Sequence, residues 1–423
     1  MKDLSRPHPP LTLIYPLVAQ YLISLPALER NAQILQQVAD SSGARVVLAL
    51  KAFSLWPTFP TLQPYLSGCC ASGLWEAQLS HQRFGKETLT YSPAYPDEHI
   101  DELLDISSHL DFNSLTQWQR FRSKALNHPR YLAGELHFGL RINPLHSTGQ
   151  TPLYDPCAPG SRLGVTAKQL KGADLTGLST LHFHTLCEQP AADLLTTMEA
   201  VERDFAPLLR SSQFTHLNMG GGHWITKPDY DREALIQLIQ RIQETYHLQV
   251  WLEPGEAVAI HTGVLRAQVL DLFANDGITH AILDVSATCH MPDVLEMPYR
   301  PEVFLAENKQ TESTNNDNSS AVQIPGEYYQ KSSSEGPHRY RLGGTSCLAG
   351  DSIGDYAFSR PLQVGDVLVF DDMAHYTFVK TSFFNGVPHP ELAVLNHDNQ
   401  IETLRSFHYQ DFENRLGDEP KKP

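Results

Sequence analysis

The segment Val46-Val-Leu-Ala-Leu-Lys51 is a short apolar run that ends on a lysine. An apolar run of this length with β-branched residues is typical of a strand buried on both faces, as in a parallel sheet. The residue after such a strand lies at the carboxyl edge of the sheet, where the active sites of α/β barrels form. The segment therefore predicts a parallel strand and places Lys51 at a candidate active-site edge.

Further runs of this kind alternate with stretches whose apolar residues have helical spacing. The stretch that begins at Ser114, for example, starts with a capping box formed by Ser114 and Gln117. Eight strand–helix units in order are typical of a closed (β/α)8 TIM-type barrel. The predicted strands are residues 46–50, 69–71, 89–91, 109–113, 137–143, 181–184, 216–219 and 250–252.

After Gly263 the pattern changes to strands without long helices between them. We expect a C-terminal β-sandwich or β-barrel domain over 264–423, completed by an N-terminal strand from residues 1–25, with the barrel over 26–263. Two polar stretches without apolar anchors predict a flexible insertion at about 307–338. The predicted strands of this domain are 264–273, 281–285, 339–342, 367–370 and 376–379.

The chain is acidic, with 48 Asp plus Glu against 32 Lys plus Arg and a formal net charge of −16. Nucleic acids and anionic membranes are bound through basic surfaces, so we expect neither as a partner, whereas a cationic small molecule is favoured. Pro16 and Gln20 interrupt the apolar residues near the N-terminus, which argues against a signal peptide or a membrane span there. We therefore expect a cytoplasmic protein.

The six cysteines and twenty histidines show no short-range metal or disulfide pattern. There is no C-x-x-C and no H-E-x-x-H spacing, so we expect neither a disulfide framework nor a metal site. Most of the cysteines are expected to be buried thiols. They are Cys69, Cys70, Cys157, Cys187, Cys289 and Cys347.

Polar residues or glycines follow each of the eight predicted barrel strands, and the carboxyl ends of barrel strands converge on one site. The alternative is that polar residues simply mark where strands meet loops, and this applies best to Ser72, Ser92 and Asn113. The residues are Lys51, Ser72, Ser92, Asn113, Arg141 with Asn143, His184, Gly220 to Gly222, and Glu253.

Three of these positions suit one cofactor. Lys51 is a candidate for the lysine that holds pyridoxal phosphate as a Schiff base. Gly220, Gly221 and Gly222 offer bare backbone N–H groups to a phosphate. Glu253, fixed by the Pro-Gly that follows it, can face a pyridine nitrogen and keep it protonated. The ordinary alternatives are a lysine at a strand end, a tight turn and a loop acid.

Segments spread in order along nearly the whole chain carry a family resemblance. They are residues 48–53, 70–72 with Glu76, 181–188, 220–222, 253–256, 283–301, 343–351 and 373–378. Through them the chain resembles the fold type III pyridoxal-phosphate decarboxylases of the alanine racemase and ornithine decarboxylase superfamily. Within that superfamily it is most similar to the carboxynorspermidine decarboxylase family.

The resemblance implies pyridoxal 5'-phosphate as cofactor and a homodimer with active sites at the interface. The partner chain would contribute Cys347 and Asp351, and Cys347 would control protonation of the reacting carbon. The implied cofactor contacts are Lys51 in the covalent link, His184 stacked on the ring, Gly220, Gly221, Gly222 and Tyr376 on the phosphate, Glu253 at the ring nitrogen and Arg141 beside the ring.

The chain departs from ornithine-type decarboxylases in two places. Those enzymes have Arg at the last position of Glu-Pro-Gly-x and an acid after the loop cysteine, whereas this chain has Glu256 and Leu348. The resemblance thus implies a substrate with additional amines, namely carboxynorspermidine or carboxyspermidine, decarboxylated to norspermidine or spermidine. The acids expected to bind those amines are Glu256, Asp284, Asp293 and Asp351.

Three alternatives remain at this stage. The nearest is a decarboxylase of the same superfamily acting on diaminopimelate, arginine or ornithine. The second is an amino-acid racemase, which usually has Arg at the ring nitrogen, so Glu253 argues against it. The third is a regulatory protein without activity, which should lack Lys51 or Cys347, and both are present.

Overall fold

The computed structural model describes residues 19–149, 151–297, 299–308, 322–324 and 327–418, which form a closed barrel of eight parallel strands and a ten-stranded mixed sheet. The strands are β1 (Gln20–Ser24), β2 (Arg45–Ala49), β3 (Gly68–Ala71), β4 (Glu87–Tyr91), β5 (His109–Phe112), β6 (His137–Arg141), β7 (Leu178–His182), β8 (His216–Asn218), β9 (Gln249–Leu252), β10 (Gly263–Asn275), β11 (Ile278–Leu283), β12 (Val303–Asn308), β13 (Glu327–Lys331), β14 (His338–Gly343), β15 (Ser352–Phe358), β16 (Val367–Phe370), β17 (Glu391–Leu395) and β18 (Ile401–Arg405).

The longer helices lie outside the barrel and have the ends that their sequences encode. The Ser24 hydroxyl accepts a hydrogen bond from the Ala27 N–H (3.3 Å) at the start of the first helix, which ends at Gly43 with a φ of 76°. The helices are α1 (Leu25–Ser42), α2 (Phe59–Leu62), α3 (Leu74–Leu79), α4 (Ile100–Ile106), α5 (Leu115–Leu126), α6 (Pro129–Leu132), α7 (Ala191–Leu209), α8 (Arg232–Tyr246), α9 (Glu256–Ala259), α10 (Ala287–His290), α11 (Asp293–Glu296) and α12 (Tyr409–Leu416).

Strands β2 to β9 pair in sequence order, and β2 also pairs with β9, which closes the barrel. The eight strands predicted from the sequence are therefore confirmed. Their side chains alternate between the two faces. On β5, for example, Leu110 and Phe112 belong to the main core with Trp118 of α5, whereas His109 and Asp111 lie on the opposite face, inside the barrel.

The second part is a mixed sheet with the strand order β13-β12-β16-β10-β1-β17-β18. Strand β10 also pairs with β11, which continues the sheet through β14 and β15. A register shift between Val269 and Asp271 allows this one long strand to serve both halves of the sheet. The N-terminal strand predicted for this domain is confirmed as β1, which runs antiparallel to β10 and parallel to β17.

One expectation for this domain is wrong. Residues 376–379 do not form a strand, because Tyr376 has a φ of 52° and a 3₁₀ helix, Phe378–Lys380, follows. The insertion expected at 307–338 contains β13, which pairs with β12 and is fixed by an ion pair between Arg266 and Glu327 (2.5 Å). Residues 309–321 and 325–326 of that insertion lie outside the described residues, as do residues 1–18.

Within the described residues, no helix is both long and apolar enough to cross a bilayer. All six cysteines are unpaired. Cys69, Cys157 and Cys289 are buried as expected, whereas Cys347 is exposed.

Candidate active site

The carboxyl ends of the barrel strands open into a cavity of about 370 Å³ that the β domain covers from one side. Volumes of this size are typical of small-molecule sites. Side chains from both domains contribute to the wall. Those predicted from the sequence are Lys51, Arg141, His184, Gly222, Glu253, Glu256, Asp293 and Tyr376.

Lys51 follows β2 after a single residue, and backbone bonds fix the turn that carries it. The Leu50 N–H donates to the Cys70 carbonyl (3.1 Å), and the Ala52 carbonyl accepts from the Tyr376 N–H (3.0 Å). The Lys51 side chain is exposed to the cavity, and its Nζ has no hydrogen-bond partner among the described residues. The amine is therefore free to react with a bound molecule.

The glycine loop after β8 is packed too closely for any side chain. A Cβ on Gly221 would lie 2.1 Å from the Glu253 carbonyl oxygen, and one on Gly222 would lie 2.0 Å from that of Leu186. Gly220 and Gly222 also have positive φ values of 68° and 85°. Only glycine fits this backbone, which brings the peptide plane of Gly222 to the cavity wall.

His184 is held as a neutral ring. Its Nδ1 accepts a hydrogen bond from the Gly221 N–H (3.1 Å), which leaves the ring proton on Nε2. Burial, together with the positive charges of Lys51 and Arg141, places the pKa of His184 well below its usual range. Arg141 donates through Nη2 to the His184 carbonyl (2.9 Å), so the two residues are coupled through the backbone.

Glu253 ends a buried chain of polar groups inside the barrel. Its Oε1 accepts from the Asn218 amide (2.6 Å), and its Oε2 lies 3.6 Å from Nε2 of His182. On the other side of the ring, His182 Nδ1 lies 2.9 Å from Asp111 Oδ2. Asp111 and His182 thus position the carboxylate of Glu253, because this chain of contacts fixes its orientation.

The sequence analysis did not single out Asp111 or His182. The signal was strand alternation: His182 lies two residues before His184 and so faces the same side of β7, while Asp111 faces the interior of β5. The residues that were singled out at neighbouring strand ends have structural roles instead. Asn113, for example, accepts from the Tyr91 hydroxyl (2.7 Å) and the Gly164 N–H (2.7 Å).

Tyr376 of the β domain and Glu256 of α9 also line the cavity, and His375 lies beside them at a neighbouring cavity. Burial raises the pKa of Tyr376, whose hydroxyl has no partner among the described residues. Burial likewise raises the pKa of Glu256, which accepts a hydrogen bond from the Trp224 indole (2.9 Å). Burial opposes protonation of His375, but Asp372, at 3.3 Å, and Glu256 outweigh it and raise the pKa of His375 to about 9.

Asp293 lies at the outer part of the cavity in a small charged cluster. It forms an ion pair with Lys380 and accepts from the Tyr154 hydroxyl (3.4 Å). Glu296 contacts the same lysine at 3.4 Å. Lys380 and Tyr154 were not predicted, because they come from distant loops that the barrel pattern does not connect. Glu188, which also lines the cavity, adds a further carboxylate.

The structure does not bring Asp284 to the cavity, so the prediction that it binds substrate is wrong. Asp351 does not line the cavity of its own chain either, and its predicted contribution to the partner's site stays a prediction. Asp284 accepts from the Gln268 N–H (2.7 Å) and holds two strands of the sheet together. Asp351 is buried and accepts from the hydroxyls of Ser286 (2.8 Å) and Ser346 (2.6 Å). Its oxygens organise the loop that carries Cys347.

Cys347 also lies away from the cavity of its own chain. It is exposed, and its N–H donates to the Asn385 side chain (2.8 Å). The neighbouring Leu348 is 45% exposed. A nucleophilic residue and an apolar one on the same exposed loop are compatible with the predicted contribution to a partner chain, which stays a prediction.

The cavity residues fit pyridoxal phosphate, the cofactor that the resemblance implies. Lys51 supplies a free amine, His184 a rigid neutral ring, and Glu253 an oriented carboxylate. The Gly222 N–H and the unpartnered Tyr376 hydroxyl can donate to a phosphate, whereas the N–H groups of Gly220 and Gly221, expected from the sequence to be free, donate to Asn218 (2.9 Å) and His184 (3.1 Å).

Comparisons with known proteins agree with this site. Residues 21–374 match the family model for the pyridoxal-dependent decarboxylase, C-terminal sheet domain. The chain is 44% identical over 391 residues to a carboxyaminopropylagmatine decarboxylase of Synechocystis sp., covering 92% of this chain and 93% of that protein. It is 40% identical to the carboxynorspermidine/carboxyspermidine decarboxylase of Campylobacter jejuni, covering 93% and 96%. A crystal structure of carboxynorspermidine decarboxylase from C. jejuni in complex with norspermidine superimposes with a TM-score of 0.80 at 38% identity, covering 94% and 99%.

Proposed function

Because the chain belongs to the family of pyridoxal-dependent decarboxylases, we propose that it removes the α-carboxylate of carboxynorspermidine or carboxyspermidine. The products would be norspermidine or spermidine. The observation that carries this proposal is a cavity that combines Lys51 and Glu253 with the further carboxylates Glu188, Glu256 and Asp293. The 40% identity to a decarboxylase named for these two substrates supports it.

Pyridoxal phosphate is the cofactor of this family, and when bound it supplies a protonated ring that accepts the electron pair left as CO₂ departs. We assign the covalent attachment to Lys51, whose free Nζ faces the cavity. Glu253 holds a proton on the ring nitrogen, and Asp111 and His182 hold Glu253 in place. His184 packs as a neutral ring, so it adds no positive charge to the site.

The substrate's additional amines explain the acids at the outer end of the cavity. A carboxytriamine carries an amino-acid head, a secondary amine and a terminal primary amine, whereas ornithine has only one amine beyond its head. Glu256, Glu188 and Asp293 all line the cavity that such a chain would occupy. Carboxylates in a partly buried cavity bind ammonium groups more strongly than in open water.

A second candidate substrate is carboxyaminopropylagmatine, because a relative named for it is 44% identical to this chain. Its outer end is a guanidinium rather than an ammonium. Asp293 and Glu296 both contact Lys380, and two neighbouring carboxylates are well suited to the fork of a guanidinium. The two candidates share the amino-acid head and the reaction and differ only at this end.

One experiment tests both candidates. We would measure CO₂ release by the purified holoenzyme from carboxynorspermidine, carboxyspermidine, carboxyaminopropylagmatine, diaminopimelate, arginine and ornithine. We expect the carboxytriamines to have the highest kcat/KM. A preference for carboxyaminopropylagmatine would select the second candidate, and preferential turnover of diaminopimelate, arginine or ornithine would reject both.

We also propose that the enzyme is a cytoplasmic homodimer whose Cys347 loop completes the partner's site. Three features support this proposal: the exposed thiol on an exposed loop, its distance from the cavity of its own chain, and six unpaired cysteines, which suit a reducing compartment. Cys347 would then deliver the proton to the reacting carbon after CO₂ departs.

A further inference from the structure

Three histidines meet at the end of the barrel opposite the active site. His109, His137 and His216 are the first residues of β5, β6 and β8. Their ring centroids are 4.9 Å apart for His109 and His137, 4.9 Å for His109 and His216, and 4.6 Å for His137 and His216. None of the three takes part in the proposed decarboxylation.

Strand register explains why they meet although they are far apart in sequence. His109 pairs directly with His137 across β5 and β6, and His216 pairs with Thr180 on the intervening β7. Residues at the starts of neighbouring parallel strands that face inward lie in one layer across the barrel. No short sequence spacing reveals such a layer. The sequence therefore predicted no metal site, although the barrel brings these three histidines together.

One ring nitrogen of each histidine lies close to those of the other two. Each histidine offers one nitrogen, and these atoms all lie within 4.8 Å of one another. His216 Nδ1 contacts the Thr215 hydroxyl at 2.9 Å, and that hydroxyl donates to the Ser179 carbonyl (3.5 Å). When the Thr215 hydroxyl donates to Ser179, His216 Nδ1 donates to that hydroxyl, and Nε2 keeps its lone pair. His109 Nδ1 has a similar contact with the Thr180 hydroxyl at 3.4 Å.

The charge state of the rings also suits a cation. Burial is the main reason why the pKa values of all three histidines are lowered. The pKa of His216 falls to about 4. Neutral imidazoles need not lose a proton before they bind a metal. The charged neighbours are Arg45, which lowers the pKa of His109 and His216, and Glu87, which balances it through an ion pair at 3.3 Å.

The cluster is separated from the active site by the packed barrel interior. Val47, Leu89 and Trp251 form an apolar cluster inside the barrel, and the Trp251 ring lies 5.1 Å from that of His109. On β6, Arg141 lies four positions after His137, which corresponds to about 13 Å of strand. His137 and His216 are only partly buried, so an ion can enter from solvent.

We propose that His109, His137 and His216 bind one divalent transition-metal ion of the zinc type, with water at the fourth position. Three neutral imidazoles with one open position are a ligand set that Zn²⁺, Co²⁺ and Ni²⁺ accept. Bonds of about 2.0–2.1 Å require the nitrogens to move closer together than they are in the described structure. The ion links three barrel strands, so its effect is on stability and not on turnover.

The test uses tag-free holoenzyme that has been treated with a chelator and then titrated with Co²⁺ or Zn²⁺. We expect saturable binding of one ion per chain, visible absorption bands typical of nitrogen-bound Co²⁺, and a rise in melting temperature. His137→Gln and His216→Gln should each weaken binding by at least about tenfold and abolish the rise. His81→Gln, an exposed histidine at the same end of the barrel, should bind as the native protein does.

Decarboxylation and the cofactor absorbance serve as the check that each variant is folded, because none of these histidines contacts the cavity. The proposal is rejected if the native protein shows no saturable binding at micromolar metal. It is equally rejected if the two variants bind as tightly as the native chain, or if Co²⁺ gives the intense near-ultraviolet band of thiolate ligands, since the ion would then lie on cysteines.

Discussion

The Nζ of Lys51 faces the cavity without a protein partner, so it can form a covalent bond with an aldehyde. We expect the purified protein to be yellow and borohydride to fix the cofactor irreversibly on the peptide that contains Lys51. Lys51→Ala should carry no covalent cofactor and should lose decarboxylation almost completely. Mass spectrometry of the reduced, digested protein measures this. Lys124→Ala, an exposed lysine on α5, is the control, and a reduced adduct on the Lys51→Ala chain would show that another residue holds the cofactor.

Asp111 contacts His182, and the His182 ring lies between it and Glu253. Burial raises the pKa of Asp111, and His182 works in the opposite direction. Asp111→Asn removes the anionic partner but keeps the size, so we expect kcat to fall by at least about tenfold while KM and cofactor content change little. Asp105→Asn, exposed on α4, should leave both constants unchanged. Loss of cofactor with kcat preserved in the loaded fraction would contradict a positioning role.

His375 gives the protein a pH-dependent contribution to stability. Its pKa is raised from the ordinary histidine value of about 6.5 to about 9 in the folded state, where Asp372 and Glu256 outweigh burial. When folding raises the pKa of a base, the protonated group stabilises the folded state, and this contribution is complete at pH values below the pKa of the unfolded chain. The contribution is lost as the pH rises through the pKa of the folded state. The shift corresponds to about 3 kcal/mol of unfolding free energy.

The free energy of unfolding in urea should therefore be higher for the native protein than for His375→Gln, with the largest difference near about pH 6. The difference should shrink towards about pH 9.5, because His375 loses its proton over this range. His81→Gln, which replaces an exposed histidine, should show no such trend. A difference that is constant with pH would mean that His375 acts through packing and not through its charge.

At the scale of single elements, the glycine loop offers a matched pair of substitutions. Gly222 and Gly134 both have positive φ, at 85° and 77°, but a Cβ would collide with the Leu186 carbonyl only at Gly222, while nothing lies within 4 Å at Gly134. Gly134→Ala should cost about 1–2 kcal/mol of stability from the left-handed backbone alone. Gly222→Ala should add displacement of the loop, which we expect to weaken pyridoxal phosphate binding at least about tenfold. Equal cofactor affinity in both variants, measured by fluorescence titration of the apoprotein, would argue against this loop as the phosphate site.

The barrel strands were predictable because each is a short apolar run before a polar residue or glycine, as in Val46-Val-Leu-Ala-Leu-Lys51. The sheet was less predictable. Strand β13 contains Glu327, Gln330 and Lys331, and it forms because β12 supplies a pairing edge and Arg266 a charge partner, neither of which lies nearby in sequence. Tyr376 resembled the start of a strand because β-branched and aromatic residues surround it, yet its loop is shaped by contact with Ala52 in the barrel.

The same distinction holds for the site. Lys51, His184 and Glu253 were predictable because each ends a strand, and the barrel topology brings strand ends together. Asp284 was assigned to the substrate because it lies in a matching segment, but the backbone amide of Gln268 binds it instead. Lys380 contacts Asp293 although the two residues are far apart in sequence. A local sequence pattern cannot predict such a pair.

At the scale of the whole molecule, the barrel has two ends with different chemistry. The carboxyl end carries Lys51, Glu253 and the further acids, and the amino end carries His109, His137 and His216. The β domain contacts the barrel at the carboxyl end, where the Tyr376 N–H binds the Ala52 carbonyl next to Lys51. The Cys347 loop belongs to this domain, but Cys347 is exposed and does not line the cavity of its own chain, so a complete site requires a second chain if Cys347 is catalytic.

Subunit mixing tests that requirement. In the proposed dimer, Lys51 and Cys347 of one chain serve different active sites, so Lys51→Ala and Cys347→Ala lesions are separable. When the two inactive variants are mixed and allowed to exchange, half of the dimers are mixed, and each contains one site without a lesion and one site with both. Decarboxylation should therefore recover to about a quarter of the native value, as two-fold symmetry requires. Exchange is verified by native mass spectrometry of chains with different masses, and each variant mixed with itself provides the baseline. Exchange without recovery of activity would place Cys347 in the site of its own chain or outside any site, and the proposed shared active site would then have to be abandoned.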